Sequence, residues 1–96
     1  MRRTKTMLMG ELLDEFFQRP YVAAKVAEGK LPDTWRRIVG EEVAAQTTEL
    51  RLDRRVLRVR VQSSVLRNEL LWQREALRDA INRESGLNLV YAVDIR

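Results

Sequence analysis

The first half of the chain reads as a series of helices, because its apolar residues recur with the three- and four-residue spacing of amphipathic helices. Residues 7–18 predict a first helix, with an acidic side opposite its apolar side, and Pro20 is expected to end it. Residues 21–29 predict a short second helix or turn with Gly29 as its C-cap. Residues 31–46 predict one longer helix. In it, Gly40 lies away from the apolar stripe, a position that often marks a close approach to the backbone.

From residue 48 onward the spacing changes to strict alternation, which is typical of half-buried strands. Leu50 and Leu52 mark a first strand. The second strand is expected to turn three apolar residues inward, namely Leu57, Val59 and Val61. Its outward residues are Arg58, Arg60 and Gln62. The connection over residues 53–55 lacks the glycine that tight hairpins favour, so it predicts a longer or bulged loop.

The last third combines a helix with a strand. Ser63 or Ser64 is expected to cap the helix, and Gly86 follows its end. Its core stripe comprises Leu66, Leu70, Leu77 and Ile81. Residues 87–95 alternate again and predict a strand with one apolar face made of Leu89, Tyr91, Val93 and Ile95.

The order of these elements, helices followed by β-β-α-β, predicts an α+β fold with two layers. The predicted sheet has three strands and is mainly antiparallel. At 96 residues the chain is expected to form a single domain spanning residues 1–96, with residues 1–6 flexible.

Positive charge is concentrated in one region, although the formal net charge is only +4. Between residues 51 and 67 there are six arginines and one acid. The arginines are Arg51, Arg54, Arg55, Arg58, Arg60 and Arg67. An arginine side chain matches the geometry of phosphate better than lysine does, so this region is a candidate nucleic-acid site. Charged outward residues are also ordinary on a solvated sheet face, and that alternative stays open.

The following helix extends the same pattern. In one continuous helix, Arg67, Arg74 and Arg78 share a stripe beside the core face. Such a stripe would continue a track for a phosphate backbone. We therefore add Arg74 and Arg78 to the candidate nucleic-acid-binding residues.

The two tryptophans are expected to differ in role. Trp35 shares a helical face with Ile38 and Val39, which predicts core packing. Trp72 lies off the core stripe of its helix, so it is expected to pack against the N-terminal helices or to contact a partner, and base stacking is a weaker alternative. Trp72 and Leu71 form the candidate partner interface.

The composition argues against an enzyme or a metal protein. The chain has no histidine and no cysteine, so the commonest general base and the commonest metal ligands are missing. Glu41 and Glu42 are consecutive and cannot face one site from a helix. No GxxxxGK loop is present, and no cofactor is expected. The lack of cysteine fits a cytoplasmic location, and no stretch approaches the roughly 20 apolar residues of a membrane span.

Several segments in a fixed order resemble the DciA-like family, once catalogued as a bacterial domain of unknown function. They are WRRIVGEEVAAQT (residues 35–47), VLRVRVQSSVLRNEL (56–70), LRDAIN (77–82) and VYAVDIR (90–96). The resemblance covers residues 8–96. It implies a K-homology-like fold, DNA binding, and help in loading the replicative helicase onto single-stranded DNA. This chain has no GxxG loop, so the resemblance does not imply binding through that loop.

The sequence thus predicts a non-enzymatic nucleic-acid-binding adaptor of bacterial replication, with single- or double-stranded DNA and the replicative helicase as partners. One alternative is an RNA-binding module on the same scaffold. Another is a protein-interaction module that uses the acidic helix 7–18 and Trp72 and binds no nucleic acid.

Overall fold

The structure is a computed structural model that describes residue 15 and residues 18–96. The predicted helix over residues 7–18 and the predicted flexible segment 1–6 lie outside this part, apart from residues 15 and 18. The described elements are α1 (Pro20–Gly29), α2 (Leu31–Val39), α3 (Glu41–Gln46), β1 (Thr47–Asp53), β2 (Val56–Val61), α4 (Ser64–Trp72), α5 (Arg74–Ser85) and β3 (Ala92–Ile95). The predicted α+β class is confirmed.

The three strands form one sheet in the order β1-β2-β3. β1 pairs antiparallel with β2, whereas β2 pairs parallel with β3. The sheet is therefore mixed, and the expectation of a mainly antiparallel sheet is wrong. The physical reason is the connection between β2 and β3. Helices α4 and α5 return the chain to the end of the sheet at which β2 began, as a helical crossover does.

The core lies between the helices and one face of this sheet. Leu57, Val59 and Val61 are at most 1% exposed, which confirms their predicted inward orientation. They belong to one cluster with Leu70, Leu77 and Ile81 of α4 and α5. Trp35 is buried in this cluster, as predicted, and its indole Nε1 donates a hydrogen bond to Thr47 Oγ1 at 3.0 Å. This bond fastens α2 to the start of β1.

Two of the predicted helices are broken. The helix expected over residues 31–46 is interrupted at Gly40, whose φ of 93° lies in a region that side chains disfavour. A Cβ built on Gly40 meets nothing within 4 Å, so the expected close approach is absent and backbone conformation alone requires the glycine. The helix expected after Ser63 is interrupted at Gln73.

The helix ends follow local chemistry. Pro20 is the first residue of α1, as its fixed φ allows at a first helical position. Gly29 is the last residue of α1, and the C-cap is Lys30 in a right-handed conformation, so the predicted glycine cap is wrong. Ser63 caps α4 as predicted, since its Oγ accepts a hydrogen bond from Leu66 N at 3.2 Å. Gly86 ends α5 in the left-handed conformation.

The hairpin between β1 and β2 is tighter than predicted. Asp53 pairs directly with Val56, which leaves only Arg54 and Arg55 in the turn. Their φ values are 51° and 68°, the two positive angles that a type I′ turn requires. The prediction of a longer or bulged loop is therefore wrong. The sequence favoured such a loop because left-handed conformations cost an ordinary residue about 1–2 kcal/mol. The turn holds two arginines at the end of the sheet.

Candidate nucleic-acid interface

The sheet face opposite the core carries the arginines of β1 and β2. Arg51 pairs across the strands with Arg58, and Arg60 pairs with Glu49. Arg51 and Arg60 are exposed, as alternation predicts, whereas Arg58 is half-buried. Two arginines opposite one another repel, so the face needs nearby acids to compensate them.

Arg58 is compensated by two carboxylates. Its Nη1 donates a hydrogen bond to Asp94 Oδ2 at 3.2 Å, and its Nε lies 3.7 Å from Asp53 Oδ2. Arg96 also reaches Asp94, with its Nε at 3.2 Å from the same oxygen. The Arg58 side chain is 28% exposed, and its Nε has no hydrogen-bond partner. Arg58 thus bridges both outer strands and is the least accessible arginine of this face.

Arg67 belongs to α4 and lies beside the end of β2 that is remote from the hairpin turn. Its Nη2 donates a hydrogen bond to the carbonyl oxygen of Val61 at 3.4 Å, and its Nε is buried without a partner. The break at Gln73 separates Arg67 from Arg74 and Arg78. The prediction of a single stripe assumed an unbroken helix, so helical spacing no longer places these three arginines in one line.

Three further arginines lie around Tyr91, which directly precedes β3. Arg74 and Arg78, in the first half of α5, line a shallow groove of about 290 Å³ together with Tyr91. Arg55, in the turn, lies with its guanidinium carbon 6.0 Å from the centre of the Tyr91 ring, and its Nη2 donates to Asn88 O at 3.0 Å. We call Arg55, Arg74, Arg78 and Tyr91 the turn-end cluster.

Arg78 also has an acidic neighbour. Its Nε donates a hydrogen bond to Asp79 Oδ1 at 3.0 Å, and this bond raises the pKa of Arg78 above its usual value. The pair is exposed to solvent, so it costs little to exchange Asp79 for another anion. Arg78 can thus exchange Asp79 for a phosphate.

Tyr91 is a residue that the sequence pattern misplaced. It was expected on the buried face of the last strand, but the strand begins only at Ala92 and Tyr91 is 69% exposed. The cause is Asn82. Its side-chain amide donates to Val90 O at 2.9 Å and accepts from Val90 N at 2.8 Å, as a neighbouring strand would. Val90 is thereby held fully buried beside Leu89, and the alternation fails at this point.

The side chains of four of the eight candidate arginines make no hydrogen bond or ion pair with any described residue. They are Arg51, Arg54, Arg60 and Arg74. All four are exposed. Arginines without protein partners can bind phosphate without first giving up an interaction. The structure therefore divides the predicted set into these unpaired arginines and the paired Arg55, Arg58, Arg67 and Arg78.

The candidate partner residues also differ from each other. Trp72 ends α4 with 84% of its surface exposed, so it does not pack against the described helices. Leu71 is half-buried and packs against the core cluster. Val65, seven residues before Trp72 and therefore on the same side of α4, is 70% exposed. The apolar surface of α4 is thus formed by Trp72 and Val65, and Leu71 serves mainly the core.

Other kinds of site find no support in residues 18–96. These residues contain no group of three or more acidic side chains that could hold a metal ion. Their helices are also too short or too polar to cross a membrane.

Comparison with known proteins identifies the family. A family model described as "Dna[CI] antecedent, DciA" matches residues 8–95. No curated protein and no solved structure matches the chain, so the likeness to K-homology domains stays a prediction. The matched family comprises helicase loaders and adaptors and is not a known enzyme family. Because the match takes in all the helices and strands described above, the chain belongs to the DciA family, which is linked in general to helicase loading.

Proposed function

We propose that this protein is a non-enzymatic, DNA-binding adaptor that acts in the cytoplasm and helps to load the replicative helicase. Family membership supports the role in helicase loading. DNA binding is supported by one observation above all: the side chains of Arg51, Arg54, Arg60 and Arg74 are exposed and make no ion pair with an acid among the described residues.

These four arginines are the primary phosphate contacts. Arg54 lies at the tip of the hairpin, whereas Arg74 lies in the first turn of α5, in the groove beside Tyr91 and Val93. Arg55 and Arg78 add to these contacts by exchanging exposed protein partners for phosphate. Arg58 and Arg67 are more buried and chiefly stabilise the fold. Contacts of this kind provide affinity without sequence preference.

A binding titration tests this proposal. Single- and double-stranded DNA of equal length and several sequences should bind, and the logarithm of affinity should fall steeply with the logarithm of salt concentration. On single strands each phosphate contact contributes roughly 0.7 to this slope. Equal-length RNA serves as a competitor, because it differs from DNA by its 2′-hydroxyl. Absence of binding at low salt, or stronger binding of RNA than of DNA, would contradict the proposal.

Trp72 supports the adaptor part of the proposal. An aromatic ring that is 84% exposed is typical of contact residues in protein interfaces. The replicative helicase is the proposed partner. Copurification of the two proteins in the presence of nuclease tests this role, with Trp72→Ala as the variant and Glu42→Ala, exposed on α3, as the control. We expect Trp72→Ala to weaken copurification and the control to retain it. Loss of copurification on nuclease treatment would show that DNA alone joins the two proteins.

A further inference from the structure

Tyr91 is an exposed aromatic ring surrounded by cations. It is 69% exposed and lies between the arginine of the hairpin turn and those of α5. Its contact with Arg55, at 6.0 Å, is at the outer limit of a cation–π interaction and contributes little at an exposed site. Packing therefore does not explain the position of this ring.

The backbone that carries the ring is firmly held. Tyr91 N donates a hydrogen bond to the carbonyl oxygen of Arg55 at 2.7 Å, which ties it to the hairpin turn. The preceding residue, Val90, has both backbone groups bound by Asn82. The following residue, Ala92, begins β3. A ring displayed from such a fixed backbone loses little conformational entropy when it binds a ligand.

The surroundings of the ring select the ligand. The groove beside Tyr91 is lined by Arg74 and Arg78, with Glu75 as the acid in its lining. Arg55 adds a third cation near the ring, so three arginines face Glu75 and the Asp79 that is bound to Arg78, and the remaining positive charge favours an anion. A flat π surface combined with several arginines matches the way in which proteins hold an unpaired base next to its phosphates.

We propose that the turn-end cluster is a nucleotide-binding subsite, in which Tyr91 stacks on an unpaired base of single-stranded DNA. Arg55, Arg74 and Arg78 hold the neighbouring phosphates. This inference rests on the proposed DNA binding and deepens it, because it adds a base contact to the phosphate contacts. A duplex keeps its bases paired and stacked, so the subsite favours single strands over duplexes.

The test compares Tyr91→Leu with Tyr91→Phe, which retains the ring. Each is titrated with an oligonucleotide of about 12 nucleotides, with an abasic strand of equal length, and with a duplex. Loss of one base–aromatic stack should weaken binding of the single strand by Tyr91→Leu about 5- to 100-fold. Tyr91→Phe should bind like the wild type. Binding of the abasic strand and the duplex should change less than about twofold, since they offer no unpaired base.

The wild type provides a second comparison that does not depend on how the variants fold. It should bind the normal strand about 5- to 100-fold more tightly than the abasic strand. Equal binding of the two strands, or an equal loss by Tyr91→Leu on both, would overturn the inference. Ring-dependent binding of RNA alone would overturn it as well. If the wild type binds DNA with a steep salt dependence but Tyr91→Leu has no effect, this inference fails while the proposed function stands. If no DNA binds, both fail.

Discussion

Replacing Arg58 or Arg60 by glutamine, one at a time, should distinguish an arginine that stabilises the fold from one that binds DNA, although both lie on β2. Both residues lie on the polar face of β2, and a solvated sheet face would make them equivalent. In the structure Arg58 bridges Asp53 and Asp94, whereas the Arg60 side chain has no hydrogen-bond or ion-pair partner among the described residues. Glutamine retains a long polar side chain and removes only the charge.

The size of the difference follows from burial. A hydrogen bond to a charged group contributes about 1.5–3 kcal/mol where it is buried, and exposed ion pairs contribute about 0.2–1 kcal/mol. The Arg58 side chain is 28% exposed and its two acidic partners 47% and 38% exposed, so the interaction is partly screened. We therefore expect Arg58→Gln to lower the free energy of unfolding by about 1–2 kcal/mol. For a domain of this size that corresponds to a fall in Tm of about 4–16 °C.

Circular dichroism melts and DNA titrations of the two variants provide the measurement. Arg60→Gln should change the free energy of unfolding by less than about 0.5 kcal/mol while it weakens DNA binding. Arg58→Gln should show the opposite balance, with a large change in stability and a smaller change in affinity. Melting of Arg58→Gln at the wild-type temperature would show that its ion pairs contribute nothing. A stronger loss of affinity in Arg58→Gln than in Arg60→Gln would refute the division between paired and unpaired arginines.

Three further substitutions test how the fold positions this surface. Trp35→Ala should destabilise the protein by about 3–5 kcal/mol, since the ring is 2% exposed, and a melt that barely moves would show that the ring is not in the core. Gly40→Ala should lower the free energy of unfolding, measured by denaturant titration, by about 1–2 kcal/mol, because alanine disfavours a φ of 93° even though nothing obstructs its Cβ. An unchanged midpoint would mean that alanine is not strained at the helix break. Asn82→Ala should lower the free energy of unfolding by about 2–4 kcal/mol, because both buried backbone groups of Val90 lose their partner. Asn88→Ala, at an exposed position, is the control, and equal denaturation midpoints for the two variants would contradict this role of Asn82.

The regular parts of this fold could be predicted from the sequence because they depend on local periodicity. The inward residues of β2 and the cap at Ser63 follow from alternation and from hydrogen-bonding chemistry within a few residues. The core position of Trp35 follows from its helical face. Each of these predictions is confirmed.

The parts that failed depend on contacts distant in the chain or on backbone angles. The burial of Val90 and the exposure of Tyr91 depend on Asn82, eight residues earlier, and no periodicity in residues 87–95 reveals that bond. The sequence offered one usable signal for the parallel pairing of β2 and β3, namely the helical segment between them, since parallel neighbours need such a crossover.

In the candidate site, too, the predictions that depend on local alternation hold and those that depend on distant contacts fail. Alternation places Arg51 and Arg60 on the polar face, where the structure has them. It does not show that Arg58 is bridged by Asp53 and Asp94, because Asp94 is 36 residues away. The cluster around Tyr91 was missed for a related reason. Tyr91 lies near Arg55 and Arg78 through contacts between the hairpin turn, α5 and the residue before β3, which are distant in the chain.

The central claim is that a particular group of arginines, and not net charge alone, holds DNA. The most direct measurement compares the salt dependence of single-stranded DNA binding in two variants. In one, the unpaired arginines Arg51, Arg54, Arg60 and Arg74 are all replaced by glutamine. In the other, Lys30, Arg36, Arg37 and Arg83, which are exposed on or next to α2 and on α5, are replaced in the same way. Each variant loses four positive charges, which takes the formal net charge of +4 to zero.

We expect the first variant to lose most of its affinity and to reduce the salt slope by roughly 2–3, at about 0.7 for each phosphate contact removed. The second variant should retain a slope close to that of the wild type, with only a modest loss of affinity from its lower net charge. Melts of both variants check that they are folded. Equal losses of affinity and equal slopes in the two variants would contradict the claim, because they would show that DNA responds to the total charge and not to these four arginines.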